Sequence, residues 1–207
     1  SELIPFYFSE NHTIKLNGLL TVGGNPSFVK SNIDKFLASE ANIGGWAADD
    51  FQWANRCGNR VELSNAEEAY AKSEYSRYFR PFWNLRDLLV CDWEHTDVYR
   101  LRTTKQNKLN DVLLRNPSLV EAQLTLFETS LNLMQPKMIL VANASSSDAI
   151  VNRLSPRWNE QHGCHEIIVG RRTIPVILAA MLTNRVTDKY SKQRLFWLAE
   201  RIWQEYD

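Results

Sequence analysis

The chain has 207 residues, 44% of them hydrophobic and 11% aromatic, with 24 Lys plus Arg against 24 Asp plus Glu. That length and composition suit one domain with a sizeable buried core. A formal net charge of zero excludes a globally basic nucleic-acid binder, and no apolar stretch approaches the roughly 20 residues of a membrane span.

The first informative segment is Leu19-Leu20-Thr21-Val22, which runs into Gly23-Gly24-Asn25-Pro26-Ser27-Phe28. An apolar run that ends in two glycines predicts a buried strand breaking into a loop. The glycines permit close backbone approach and φ > 0. Pro26 fixes its own φ and pushes Asn25 towards an extended conformation. Asn25 is therefore either a stiffly held amide at a strand's carboxyl end, where open α/β sheets bind ligands, or ordinary turn punctuation.

Ser31 to Ser39 has helical spacing, with Ile33, Phe36 and Leu37 on one face. Ala41 to Asn65 is irregular but carries Trp46, Phe51 and Trp53, which either pin the loop or serve a function. Ala66 to Val90 reads as helix interrupted at Pro81, with Leu85, Leu88 and Leu89 as its apolar stripe. His95 to Tyr99 predicts a short strand. Ser118 to Gln135 is the clearest helix, since Ser118 and Glu121 have capping-box spacing and Leu124, Phe127, Leu131 and Met134 recur every three or four residues. Met138 to Ala142 predicts a fully buried strand, after which Ser145, Ser146, Ser147 and Asp148 cap a helix. Glu166 to Val169 and Thr173 to Leu178 flank a hairpin-like turn at Gly170-Arg171-Arg172, and Lys189 to Tyr206 is the last helix. Alternating strands and helices predict the α/β class, with a mainly parallel sheet of four to five strands and helices on both faces. With no linker or repeat, a single domain over residues 1–207, monomeric, is expected.

Residues 1–100 carry 10 Lys/Arg against 14 Asp/Glu, and residues 101–207 carry 14 against 10. Basic residues cluster at Arg100, Arg102, Lys105 and Lys108, at Arg171 and Arg172, and at Arg185, Lys189, Lys192 and Arg194. Such clusters contact phosphates or form solvated faces. Cys57, Cys91 and Cys164, an odd number at wide spacing, fit a reducing compartment rather than a disulfide framework. Ser1-Glu2-Leu3-Ile4-Pro5-Phe6 lacks a basic region before an apolar one, so the expectation is a cytoplasmic protein, or a nuclear one in a eukaryote. His162-Gly163-Cys164-His165 offers two or three metal ligands without a second pair, and reads as a polar loop before a strand. No phosphate loop, nucleophile elbow or paired metal cluster is present, so neither a cofactor nor a metal is expected.

Four ordered segments resemble the uracil-DNA glycosylase superfamily, nearest its mismatch-specific thymine/uracil-DNA glycosylase branch. Val22-Gly23-Gly24-Asn25-Pro26-Ser27 resembles that branch's strand followed by Gly-x-Asn-Pro-Gly/Ser. Arg80-Pro81-Phe82-Trp83 resembles its Asn-x-Phe-Trp element. His95-Thr96-Asp97-Val98 through Arg102-Thr103-Thr104 is similar to its Phe-Thr-Asn strand and following loop. Gln135-Pro136-Lys137-Met138 to Val141 is similar to its helix-Pro-Lys/Arg-strand step. Order and spacing agree over roughly residues 17–204.

The resemblance implies a three-layer α/β/α domain that flips a base out of DNA and hydrolyses its N-glycosidic bond. It gives Asn25 the attacking water. It places Gly23, Gly24, Pro26 and Ser27 around the base, with Phe28 or Phe82 stacked on it and Trp83 beside it or packed in its helix. Asp97 stands where the family has a base-reading Asn. An ionised carboxylate only accepts, so Asp97 suits an exocyclic amino group better than a carbonyl, unless it pairs with Arg100 or Arg102. The family's Pro-Ser loop after the last strand is replaced by Ala179-Ala180-Met181-Leu182-Thr183-Asn184-Arg185. Met181 or Leu182 would then be the duplex wedge or core residues, and Thr183, Arg185, Lys189, Arg100 and Arg102 the DNA contacts. The alternative is a non-catalytic member of the fold that binds nucleic acid, a nucleotide or a protein partner.

Overall fold

The computed structural model describes residues 14–25, 76–101, 106–183 and 186–206, together with Ser31, Asp34, Lys35 and Ala38. The loop holding Trp46, Phe51 and Trp53, and the first part of the helix expected from Ala66, lie outside the described residues. Of the helix expected over 31–39, the described Ser31, Asp34 and Lys35 are helical.

In chain order the elements are β1 (Leu19–Gly23), α1 (Ser76–Leu89), β2 (Trp93–Asp97), α2 (Gln106–Arg115), α3 (Pro117–Met134), β3 (Met138–Ala142), α4 (Ala144–Leu154), β4 (Arg157–Asn159), β5 (Cys164–Val169), β6 (Arg172–Ala179) and α5 (Lys189–Glu205). Two compact units form. One comprises Ser1–Thr13, Asn25–Phe79 and Tyr99–Val120, the other Ile14–Gly24, Arg80–Val98 and Glu121–Asp207. The described core of the first is a small apolar cluster. Leu101, Leu109 and Leu113 are buried there, with Tyr99, Leu119 and Val120 packed against them.

The second unit holds the sheet, in the order β2-β1-β3-β6-β5-β4. β2, β1, β3 and β6 are mutually parallel, and β5 and β4 extend the sheet antiparallel. The fold is α/β with a mostly parallel sheet, as the alternation predicts. The sheet has six strands rather than four or five, because three-residue β4 joins its edge. Arg157-Trp158-Asn159 is too short for a period of two to show.

Every residue of β1 and of β3 is buried. Their continuous apolar runs are what interior parallel strands need, since both faces are covered. β2 alternates instead, with Glu94 and Thr96 buried on one face and Trp93, His95 and Asp97 half-buried on the other. Glu94, 6% exposed, accepts a hydrogen bond from the Lys15 amide at 2.8 Å. β2 begins and ends two residues earlier than its alternation suggests.

α1 runs through Pro81 without a break. The ring removes one intrahelical hydrogen bond, but Phe82, Leu85 and Leu89, exposed by only 0%, 0% and 7%, anchor the helix beyond it. α4 starts at Asn143 rather than at the serines. Asn143 is extended and its side chain accepts from the Ser146 amide, so the serines fill the first turn instead of capping it. Arg153 of α4 clamps α3, donating from Nε and Nη2 to Glu128 at 2.9 and 3.0 Å and from Nη1 to Glu121 at 3.0 Å. α2, read in the sequence only as a basic cluster, is a separate helix.

α1, α3 and α4 are each followed by a non-glycine residue in the left-handed region: Val90 (φ 48), Gln135 (φ 43) and Ser155 (φ 46). Val90 is the costly one, because it is β-branched. Its side chain is 90% exposed, so nothing packs it in return. Val90→Asn, which tolerates this backbone region, should stabilise the fold by about 1 kcal/mol, from the roughly 1–2 kcal/mol left-handed penalty. Urea unfolding reads this directly, and a midpoint at or below wild type contradicts it.

Candidate functional site

Parallel sheets bind ligands beyond the carboxyl ends of adjacent strands whose crossovers run in opposite directions. Here those strands are β1 and β3. β1 leads on to β2 at one side of the sheet, and β3 leads on to β6 at the other. Gly23 and Gly24 end β1, and Asn143 follows β3.

Gly23 is in register with Asp97, the last residue of β2. Its carbonyl accepts from the Val98 amide at 3.2 Å and from the Ser146 hydroxyl at 3.0 Å. The hydroxyl has one proton, and the Asn143 Oδ1 contact at 3.3 Å is the longer alternative. Ser146 is 0% exposed and Asn143 9%. A Cβ built on Gly24 would lie 3.0 Å from Asn143 Nδ2 and 3.1 Å from its Cγ. Gly24 is thus needed for space beside the Asn143 amide. It does not occupy the left-handed region. Asn25, bonded to Gly24, is half-buried.

Behind this edge lies a polar chain between β1 and β2. Trp93 Nε1 donates to Thr21 Oγ1 at 2.9 Å, and Thr21 Oγ1 lies 2.9 Å from His95 Nδ1. Thr21 is 0% exposed. Phe82 covers the imidazole at 5.8 Å between ring centres, tilted by 31°. Burial pushes the His95 pKa down to about 3, so the ring is neutral at neutral pH. Its Nε2 lies 4.0 Å from Asp97 Oδ1, with the two side chains 16% and 12% exposed. With a neutral ring that approach is not an ion pair.

The structure brings Gly23, Gly24 and Asp97 together at the carboxyl edge. Two expectations need correction. Phe82 is 0% exposed and packs on His95, so its ring has no face open to a flipped base. Leu182 is 2% exposed, a core side chain rather than a wedge. The turn around it is compact. Thr187 Oγ1 donates to the Met181 carbonyl at 2.8 Å, and the amides of Val186 and Thr187 reach the Thr183 carbonyl at 3.0 Å. Met181, Thr183, Trp83 and Arg100 are half-buried, and Lys189 is exposed. Pro26, Ser27, Phe28, Arg102 and Arg185 lie outside the described residues.

Other clusters hold structure together. His162 Nδ1 meets Glu205 Oε2 at 2.5 Å, and Tyr206 donates to Glu166, holding that carboxyl below the usual carboxylate range. Cys164 is buried, with its thiol pushed up by that burial. His165 stacks edge-on against Trp158 at 5.0 Å. Among the described residues, no three His, Cys, Asp or Glu side chains converge on a metal position. No helix among the described residues is long and apolar enough to cross a membrane. A shallow hollow of about 630 Å³ along α5 has Tyr190, Gln193, Arg194 and Trp197 as its described lining. None of those four groups is a carboxylate or an imidazole.

No family model matches the chain, and no curated protein matches it. Sequence reasoning passed over Thr21, His95, Asn143 and Ser146 as site-forming residues. The available signal was a hydroxyl inside the apolar run Leu19 to Val22, and an Asn directly after the apolar run Met138 to Ala142.

Two outcomes follow from this geometry. Gly24→Ala displaces the Asn143 side chain and so weakens its cap on α4, costing about 0.5–2 kcal/mol. Thermal or urea unfolding measures the loss, and an unchanged stability contradicts the contact. His95 gives stability a pH dependence. Its folded pKa lies below the ordinary 6.5, so the unfolded chain takes up a proton first as pH falls. Stability is complete above pH 6.5 and drops towards pH 3, by at most about 1.4 kcal/mol per pH unit. Urea midpoints between pH 7 and 4.5 should fall less steeply for His95→Asn than for wild type, and equal slopes contradict a neutral buried His95.

Proposed function

We propose that this chain is a DNA-base N-glycosylase that flips a damaged or modified base and hydrolyses its N-glycosidic bond. The observation that carries the reading is the position of Gly23-Gly24-Asn25 at the reversal between β1 and β3. The β1 end is fixed there through the doubly bonded Gly23 carbonyl. The ordered resemblance to the uracil-DNA glycosylase superfamily supports it.

In this reading Asn25 positions the attacking water. Glycosidic cleavage passes towards an oxocarbenium ion, so a weak nucleophile suffices when well placed. An amide carbonyl accepts a hydrogen bond from that water without acting as a strong base, which makes slow turnover the expectation. Asp97 reads the base edge. With Phe82 buried, stacking falls to Phe28 or to Trp83. Phosphate contacts fall to the basic residues after residue 100, foremost Arg100, Arg102, Arg185 and Lys189. DNA is the partner, and the expected compartment is cytoplasmic, or nuclear in a eukaryote.

The second reading is a non-catalytic binding module of the same fold. The burial of Leu182 favours it, because the loop that replaces the family's Pro-Ser segment then has one apolar wedge candidate fewer.

Single-turnover assays on oligonucleotides carrying uracil, hypoxanthine, xanthine or mismatched bases separate the two. Asn25→Ala should lower base release by about 100-fold or more while DNA binding stays near wild type, since positioning acts in the transition state. Asp97→Asn should shift preference towards uracil by about 1–3 kcal/mol, the cost of mismatching a buried hydrogen-bonding group. Wild type and Asp97→Asn both inert on every base would leave the binding module.

A further inference from the structure

The outward side of α5 carries a stripe of groups that its packing does not use. Tyr190, Gln193, Arg194 and Trp197 recur every three or four residues, so they are neighbours along one side of the helix. All four are exposed, Tyr190 by 69% and Trp197 by 61%, and they are the described lining of the hollow of about 630 Å³. From Lys189 to Ala199 the chain carries Lys189, Lys192 and Arg194 and no acidic residue. Asp188, just before that stretch, is engaged as the helix cap, accepting from the Tyr190 and Ser191 amides at 2.8 and 3.0 Å.

The stripe has firm support. On the packed side Ala199 and Ile202 are fully buried, and Lys137 Nζ lies 4.8 Å from the centre of the Trp203 ring. Trp197 is itself backed by the Arg201 guanidinium, 5.2 Å from its ring centre. Arg201 Nη2 donates to the His162 carbonyl at 2.6 Å, which ties that pair to the turn between β4 and β5. A ring already held in place loses little freedom when a flat ligand stacks on it.

We propose that this stripe is a docking surface for single-stranded nucleic acid. Tyr190 and Trp197 stack on bases, and Arg194, flanked by Lys189, contacts phosphates. Every base has a π-face, and exposed aromatics interleaved with cations match an unpaired strand in both shape and charge. Tyr190 and Trp197 stem from positions roughly 10 Å apart along the axis, from a rise of about 1.5 Å per residue, a spacing that suits two bases of one strand. A paired duplex keeps its base faces inside its own stack. A second copy of the chain fits less well, because self-apposition sets Lys189 and Arg194 against themselves. A lipid surface also fits less well, since Gln193 and Arg194 interrupt the apolar groups and the surface is hollow. The proposal does not depend on the glycosylase reading, because binding is read without base release.

Fluorescence anisotropy with the full chain and a labelled oligothymidine of about 12 nucleotides tests it. Saturable binding is expected, weakened about tenfold or more in Trp197→Ala and nearly restored in Trp197→Phe, whose ring still stacks. Tyr190→Ala, a second stacking variant, should weaken binding in the same direction. Arg194→Gln should flatten the dependence of log affinity on log salt by about 0.7. An abasic strand of the same length should bind about tenfold or more weakly than oligothymidine. Trp197→Ala should keep the thermal midpoint of wild type, so that lost binding reports the surface and not the fold. Equal affinity for the abasic strand, or oligothymidine binding unchanged in both Trp197→Ala and Tyr190→Ala, overturns the proposal. So does the absence of saturable binding; a wild-type dimer in sedimentation that Trp197→Ala abolishes would then give the stripe to a second copy.

Discussion

The Gly23 carbonyl is the joint on which the carboxyl edge of the sheet depends. Buried carbonyls need partners, and this one has two, the Val98 amide beyond β2 and the Ser146 hydroxyl inside α4. It therefore fixes three things at once: where β1 stops, how β2 leaves the sheet, and how deeply the first turn of α4 sits. Asn143 completes the arrangement. It caps α4 through Oδ1 and packs its amide against Gly24, where any Cβ would intrude. In the proposed reading, support of this kind is what the Asn25 amide would need to place a water for a reaction that depends on positioning more than basicity.

The polar chain behind the joint links β1 to β2: Trp93 donates to Thr21 Oγ1, and Thr21 Oγ1 and His95 Nδ1 hydrogen-bond at 2.9 Å. Removing one member of such a chain leaves a buried group unpaired, which is worse than having no chain at all. The same enclosure keeps the imidazole neutral.

Much of this fold is legible in the sequence because periodicity and burial agree there. The runs Leu19 to Val22 and Met138 to Ala142 are buried at every position, and the three-to-four spacing in α3 brings Phe127, Leu131 and Met134 into the core. Where tertiary packing overrides local chemistry, the sequence misleads. Pro81 sits inside a helix because the apolar stripe beyond it holds, and Val90 takes a glycine's conformation without being one. The site is legible only in part. Gly24, Asn25 and Asp97 stand out as punctuation and as departures from a family pattern. Thr21, His95, Asn143 and Ser146 matter through partners many residues away, which a single chain does not pair up. Phe82 shows the reverse error, an aromatic in a motif that the fold spends on its core.

The central claim is that a nucleobase is recognised beyond the carboxyl ends of β1, β2 and β3. Backbone amide NMR on the Asn25→Ala variant, titrated with a duplex carrying one mismatched base, tests it most directly. The account predicts that the largest shifts fall on Gly23, Gly24, Asp97, Val98, Asn143 and Ser146. Shifts centred on the outer face of α5 at Tyr190, Arg194 and Trp197, with the Gly23 and Asp97 amides unmoved at saturation, would contradict it.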